Sequence, residues 1–211
     1  MNLIKYVLTL VLIFLIKPSF SQNEKNGISI FELVRSEDNV NLYERWVYVE
    51  KEVLARELKV TFSLGHNSID KVFGLIRNPR KFQEWNKGVS NVQIIEEDNY
   101  QWMVYSYYDI PWPFSNQDCL LEYKVNLIKT NRMHISFESI VSEKFPPIEN
   151  VVRLTKLKGM WNIIKQGENI LVEYYVSNVP VDGIPPRWLA DPIIRNNLLN
   201  NFKIFKEIID K

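Results

Sequence analysis

The residues able to carry chemistry are few and widely separated. The chain has two histidines, His66 and His134, and one cysteine, Cys119. A zinc site needs three or four such ligands converging on one point. These three fall on different stretches of chain, so no metal is expected. Cys119 stands in an apolar row, where a thiol behaves as a small hydrophobe and not as a nucleophile. Glu96-Glu97-Asp98 lies between two strand-like runs and reads as a solvated turn, not a catalytic acid cluster. The seven glycines include no loop of the kind that cradles phosphate, and no cofactor is expected. The conspicuous chemistry is apolar instead. In "DIPWPFSNQD", Asp109 to Asp118, two prolines and a Trp-Pro-Phe cluster stand directly before a run that alternates apolar and polar residues.

Composition narrows the classes further. Lys5 precedes an apolar run from Tyr6 to Ile16, broken only by Thr9, and Ser19-Phe20-Ser21 places small residues where a signal peptidase reads. Residues 1–21 are therefore expected to be a signal peptide cleaved near Ser21, giving an exported protein, periplasmic or secreted. A run of 11 residues is short for a membrane span of about 20. Losing Lys5 and Lys17 takes the formal charge from +1 to −1. A nearly neutral chain cannot draw on phosphate neutralisation, so nucleic acid is not an expected partner. With Cys119 alone, an exported chain has no internal disulfide and must hold together by burial. Residues 22–211 suit one domain, expected as a monomer.

Periodicity supplies the elements that would position these residues. Ile30, Phe31, Leu33 and Val34 recur near a 3.6 spacing and predict a short helix over Ile28 to Ser36. Strands are expected near Asn41 to Val49 and at Arg56 to Leu64, where Leu58, Val60, Phe62 and Leu64 alternate with polar residues. Ser68 is placed to cap a helix that carries Ile69, Val72, Phe73 and Ile76 on one face until Asn78-Pro79 stops it, with a helical turn at Phe82 to Trp85 beyond. Further strands are predicted at Val89 to Glu97, Tyr100 to Ile110, Asp118 to Lys129, Arg132 to Ser142, Val151 to Ile164 and Ile170 to Val179. Short connections make neighbours antiparallel. Trp188, Leu189, Ile194, Leu198, Phe202, Phe205 and Ile209 describe one long amphipathic helix, bent at Pro192. The expected class is α+β with a long antiparallel sheet.

This order of parts, with "FQEW" closing the early helix pair, resembles the helix-grip (SRPBCC) fold of the StAR-related lipid-transfer (START) domains. "PWPFSNQD" is similar to that family's proline-proline-serine-arginine-aspartate signature at Pro111, Pro113, Ser115 and Asp118. "VVRL" from Val151, "GMW" from Gly159 and "DGIPPRWL" from Asp182 resemble its later motifs. One departure is Gln117, where the family has arginine, so an ion pair to Asp118 would need another partner.

The resemblance implies a curved sheet wrapped around the C-terminal helix, enclosing a hydrophobic cavity that binds, and possibly transfers, a lipid or similar molecule, with transient membrane contact. Alternation then nominates the lining as Leu58, Val60, Phe62, Leu121, Tyr123, Val125, Ile135, Phe137, Ser139, Leu198, Phe202 and Phe205. Tyr123, Ser139 and Arg153 would be its polar points, Arg153 meeting either a carboxylate or the ligand head group. Trp112 and Phe114 at the mouth, with Phe145 and Ile148 on "EKFPPIEN" (Glu143 to Asn150), would form a gate closing against the final helix. Ten buried methylenes would contribute about 8 kcal/mol before binding costs, so few hydrogen bonds are required. Two alternatives stay open. One is a cyclase- or hydrolase-like enzyme using Tyr123, Asp109 or Arg153, and the other is a protein-interaction module of the cell envelope.

Overall fold

Alternating side chains build the largest feature of the computed structural model, which describes residues 29–50, 53–96, 98–110, 114–179 and 186–211. Ten strands form one sheet. They are β1 (Glu32–Glu37), β2 (Val40–Glu50), β3 (Val53–Gly65), β4 (Asn91–Glu96), β5 (Gln101–Tyr108), β6 (Asn116–Lys129), β7 (Arg132–Ser139), β8 (Val151–Arg153), β9 (Leu157–Gln166) and β10 (Asn169–Asn178). Their spatial order is β1-β2-β3-β10-β9-β7-β6-β5-β4, with β8 beside β6. The β6–β8 pairing is parallel; the others are antiparallel, as the short connections require.

Three helices accompany the sheet. Ser68 caps α1 (Ile69–Arg77) by accepting a hydrogen bond from the Lys71 N–H at 3.1 Å. Asn78 ends α1 and caps α2 (Pro79–Trp85), its Oδ1 accepting from the N–H groups of Arg80 and Lys81. Proline at the first position of α2 loses no helical hydrogen bond. α3 (Arg187–Asp210) has 24 residues, about 36 Å at 1.5 Å per residue, and carries Pro192 in its second turn. The inner face of the sheet packs on α3, whose buried residues include Leu199, Phe202, Phe205 and Ile209. Among the described residues no helix is long and apolar enough to cross a membrane.

Two expectations fail for physical reasons. Of the residues predicted as a helix over 28–36, Glu32 to Ser36 form β1 instead, 29–31 belong to no regular element, and Ile28 lies outside the described residues. The β1 register shifts between Leu33 and Arg35. That bulge sets Leu33 and Val34 side by side out of alternation, which imitates a helical period. Asp38 and Asn39, with φ of 50° and 61°, then make a two-residue hairpin turn of the type favoured by the strand twist. The strand expected from Val151 to Ile164 is two strands. β8 pairs with β6 and β9 with β7, and the chain changes neighbour between them, where the Leu154 N–H donates to the Asp118 carbonyl at 2.8 Å. The signal segment, Trp112 with its flanking prolines, and Asp182 to Pro185 lie outside the described residues.

Candidate functional site

The inner face of the sheet carries a row of aromatic rings made possible by one glycine. Gly159 on β9 stands opposite Phe137 on β7 and Val176 on β10. Without a β-carbon there, the Phe137 ring lies over the glycine backbone; a Cβ would fall 2.3 Å from Phe137 Cζ. Phe137 thereby reaches both Tyr123, with ring centroids 5.1 Å apart, and Tyr174, 5.7 Å apart. Trp102 stacks on the other side of Tyr123 at 5.0 Å. The Trp102–Tyr123–Phe137–Tyr174 row thus runs across β5, β6, β7 and β10 as an apolar wall edged by hydroxyls.

Burial is unequal along this face. At the C-terminal half of α3, Phe202 and Phe205 interlock with Phe62, Trp85 and Trp161 at centroid distances of 5.2 to 6.1 Å, and that end is solid. Further along, Tyr108, Leu157, Tyr174, Val176 and Leu198 pack against the same core but keep accessible surface. Tyr108, Tyr123 and Tyr174 nonetheless sit deep. Burial pushes all three hydroxyls above the usual 10, helped at Tyr108 by Cys119, Tyr174 and Tyr123 and at Tyr123 by Tyr174 and Cys119. Burial also pushes the Cys119 thiol up to about 12, against the pull of its hydrogen bond with Tyr108. All four groups are protonated at neutral pH. The hydroxyls of Tyr123 and Tyr174 have no hydrogen-bond partner among the described residues, and the indole N–H groups of Trp85, Trp102 and Trp161 are buried without one.

A charge network fastens the N-terminal half of α3 over this region. Arg195 donates through Nε and Nη2 to the two carboxylate oxygens of Glu44, each at 2.9 Å. Arg56 lies 2.9 Å from Asp191 and 3.7 Å from Glu44. Arg187 approaches Asp191 at 3.6 Å and covers the Trp46 ring at 3.7 Å. Both carboxylates are shared among three guanidiniums in a half-dry setting, where such pairs resist screening.

The nominated residues divide by face. Leu58, Val60, Phe62, Leu121, Tyr123, Ile135 and Phe137 are buried on the inner face, with Val125 and Leu198 partly buried against them. Phe62 meets Phe202 and Phe205 directly. The Ser139 hydroxyl is committed to the β9 backbone, donating to the Leu157 carbonyl and accepting from its N–H, both at 3.0 Å.

Of the two partners expected for Arg153, the structure shows the carboxylate. Asp118 shares the outer face of β6 with Leu120, which packs with Tyr105 in a separate cluster. Arg153 grips both Asp118 oxygens, through Nε at 2.6 Å and Nη2 at 2.7 Å. This is the partner that Gln117 left unassigned, and it draws Arg153 away from the inner wall. Tyr105 donates to the same carboxylate at 3.1 Å, and the neighbouring charge together with burial pushes its hydroxyl up to about 12.

The loop nominated for the gate lies on the same face. Arg153 also donates to the carbonyls of Phe145 and Pro146 at 3.0 and 3.2 Å, and Phe145 stacks on Tyr105 at 4.8 Å. The proline loop is therefore pinned to the outer face of β5 and β6, not set against the final helix. Ile148 is exposed and Phe114 partly buried. Asp109 is exposed too. Tyr108 and Tyr174 were not nominated from sequence. In "YSYY" aromatics occupy both parities, which hides the facing of Tyr108, but the Val172, Tyr174, Val176 alternation was available.

Comparison with known proteins bears on the fold. No family model matches the sequence. An uncharacterized protein of Pseudomonas aeruginosa is 25% identical over 130 residues, which are 61% of this chain and 63% of that protein, so the match spans less than two thirds of the relative. The structure is similar to that of a STAR-related lipid transfer protein from Xanthomonas axonopodis, with TM-score 0.73 and 21% identity over 86% of this chain and 99% of that one. It is also similar to human StAR-related lipid transfer protein 5, with TM-score 0.69 and 10% identity over 97% and 93% of the two chains. The Zhui aromatase/cyclase from Streptomyces sp. R1128 superposes with TM-score 0.55 and 11% identity over 74% and 94%. With a ten-stranded antiparallel sheet gripping a long C-terminal helix, the chain has the α+β helix-grip fold of START domains.

Proposed function

We propose that this chain binds a lipid or similar hydrophobic molecule between the inner face of the sheet and the N-terminal half of α3. One observation carries the reading. Tyr108 and Tyr174 lie deep enough for burial to raise their hydroxyl pKa values, yet both keep accessible surface. Accessible surface on such residues would face space between sheet and helix, and its surroundings are apolar and aromatic, as those of hydrophobic ligand sites are. The names of the structural relatives support the same class. The N-terminal residues support export, so the ligand would be held in an aqueous compartment outside the cytoplasm.

A second reading, an enzyme acting on a hydrophobic substrate, draws on the likeness to an aromatase/cyclase. Of the three groups nominated for it, Asp109 is exposed and Arg153 faces outward, which leaves Tyr123 as the interior acid or orienting group. Native mass spectrometry of the purified protein tests both. A carrier retains an unaltered hydrophobic molecule, an enzyme releases or retains an altered one, and a protein with no adduct after mild purification, and no uptake of added lipid, contradicts the proposal.

A further inference from the structure

We propose that the inner tyrosines form a recognition point for a neutral oxygen on the ligand, such as a hydroxyl, ketone or ester carbonyl, and that the site rejects ionised head groups. This rests on the reading above that a hydrophobic molecule occupies the interior. The aromatic row sets Tyr123 and Tyr174 on either side of Phe137, and neither hydroxyl has a protein partner among the described residues. A buried hydroxyl or indole N–H without a partner is unfavourable, and native interiors satisfy such groups with protein, water or ligand. The Trp102 and Trp161 rings, whose centroids lie 5.0 Å from Tyr123 and 4.7 Å from Tyr174, carry indole N–H groups that are buried without a partner. Donors outnumber acceptors here, so an uncharged oxygen acceptor fits.

The charge distribution argues against an anion. Arg77 stands over the Trp102 ring at 5.2 Å and donates to the carbonyls of Asn99 and Asp98, and Arg153 is spent on Asp118 and two carbonyls of the outer face. Arg56 and Arg195 stand at the α3 rim and are shared with Glu44 and Asp191. Among the described residues, an ionised carboxylate or phosphate at the tyrosines would meet only cations that already hold carboxylates or backbone carbonyls, and desolvation without its own countercharge disfavours it. Protonated phenols strengthen the case, since each remains a donor at neutral pH.

The test uses the delipidated full chain and three probes of matched chain length: methyl palmitate, 1-hexadecanol and palmitate, with binding measured by displacement of a fluorescent probe at neutral pH. The two neutral probes are expected to bind at least about tenfold more tightly than palmitate, the factor that one lost charge-free acceptor site or one poorly compensated charge produces. Tyr123→Phe/Tyr174→Phe keeps both rings and the stack, and an unchanged far-ultraviolet dichroism spectrum with a cooperative urea transition certifies the fold. In that variant the preference should fall to within about threefold, through loss of neutral-probe affinity. Equal or tighter binding of palmitate by the wild type overturns the proposal, as does a preference unaltered in the double variant. If none of the three probes binds, the hydrophobic site itself is refuted and the inference falls with it.

Discussion

A β-carbon at position 159 would sit 2.1 Å from the Tyr175 carbonyl oxygen and 2.3 Å from Phe137 Cζ. The ring could rotate away, but the carbonyl belongs to the β9–β10 ladder and cannot. Gly159→Ala is therefore expected to destabilise the fold by about 3 kcal/mol, the upper range for overpacking a close-fitted core. Adding Phe137→Leu should restore only the part due to the ring. Urea denaturation measures both; a loss below about 0.5 kcal/mol for Gly159→Ala would mean that the wall does not depend on this contact. The same scale explains the Asp118–Arg153 pair. Parity along β6 puts Asp118 on the face of Leu120 and opposite to Leu121, so its outward direction was readable from the sequence. Its partner was not, because β8 reaches β6 through a parallel pairing 35 residues away in sequence, which no local pattern announces.

At the scale of elements, α3 is a helix held by two different forces. Its C-terminal half is set among aromatic rings, and its N-terminal half is tethered to the sheet through Arg195 on Glu44 of β2 and Asp191 on Arg56 of β3. Removing one charge of a buried cluster leaves the others uncompensated, which costs about 3 kcal/mol or more. In Glu44→Gln, amide hydrogen exchange in the first half of α3 should accelerate about 100-fold, the equivalent of that free energy, while the amides around Phe202 and Phe205 stay protected. Uniform acceleration along α3 would show that the helix opens as one unit and would remove the two-part description. Strong periodicity made much of this architecture legible beforehand: the β3 alternation, the capped α1 and the seven apolar positions of α3 all correspond to observed elements. The failures share a cause. At β1 a bulge disturbed the alternation, and the position of the loop from Glu143 is decided by Arg153 and Tyr105, tertiary contacts with no periodic trace. The site suffered likewise, because alternation separates inner from outer residues but does not tell where α3 meets the sheet and where it stands away.

At the scale of the whole molecule, the interior holds Tyr108, Tyr123, Tyr174 and Cys119, and burial raises the pKa of each. An acid with a raised folded pKa favours the folded state below its unfolded pKa and loses that contribution as pH rises. Below about pH 8 both states keep all four protons, and stability owes nothing to pH through these groups. Above about 8.5 for the thiol and about 10 for the phenols, the unfolded chain releases protons that the folded one retains, and each such group then removes about 1.4 kcal/mol per pH unit. Each of the four therefore lowers stability once the pH passes its unfolded pKa, for as long as the folded state still holds its proton. The urea midpoint should therefore stay level from about pH 6 to 8.5 with respect to these groups and decline above about 9. In the same titration, phenolate absorbance should rise in two stages, with the interior tyrosines ionising only as the fold is lost. A neutral ligand such as methyl palmitate, binding the folded state alone, should move that second stage to higher pH. Should every tyrosine ionise together near pH 10 while the fold persists, the phenols would be open to solvent, and the enclosed chamber that both the proposed function and its head-group preference require would be ruled out.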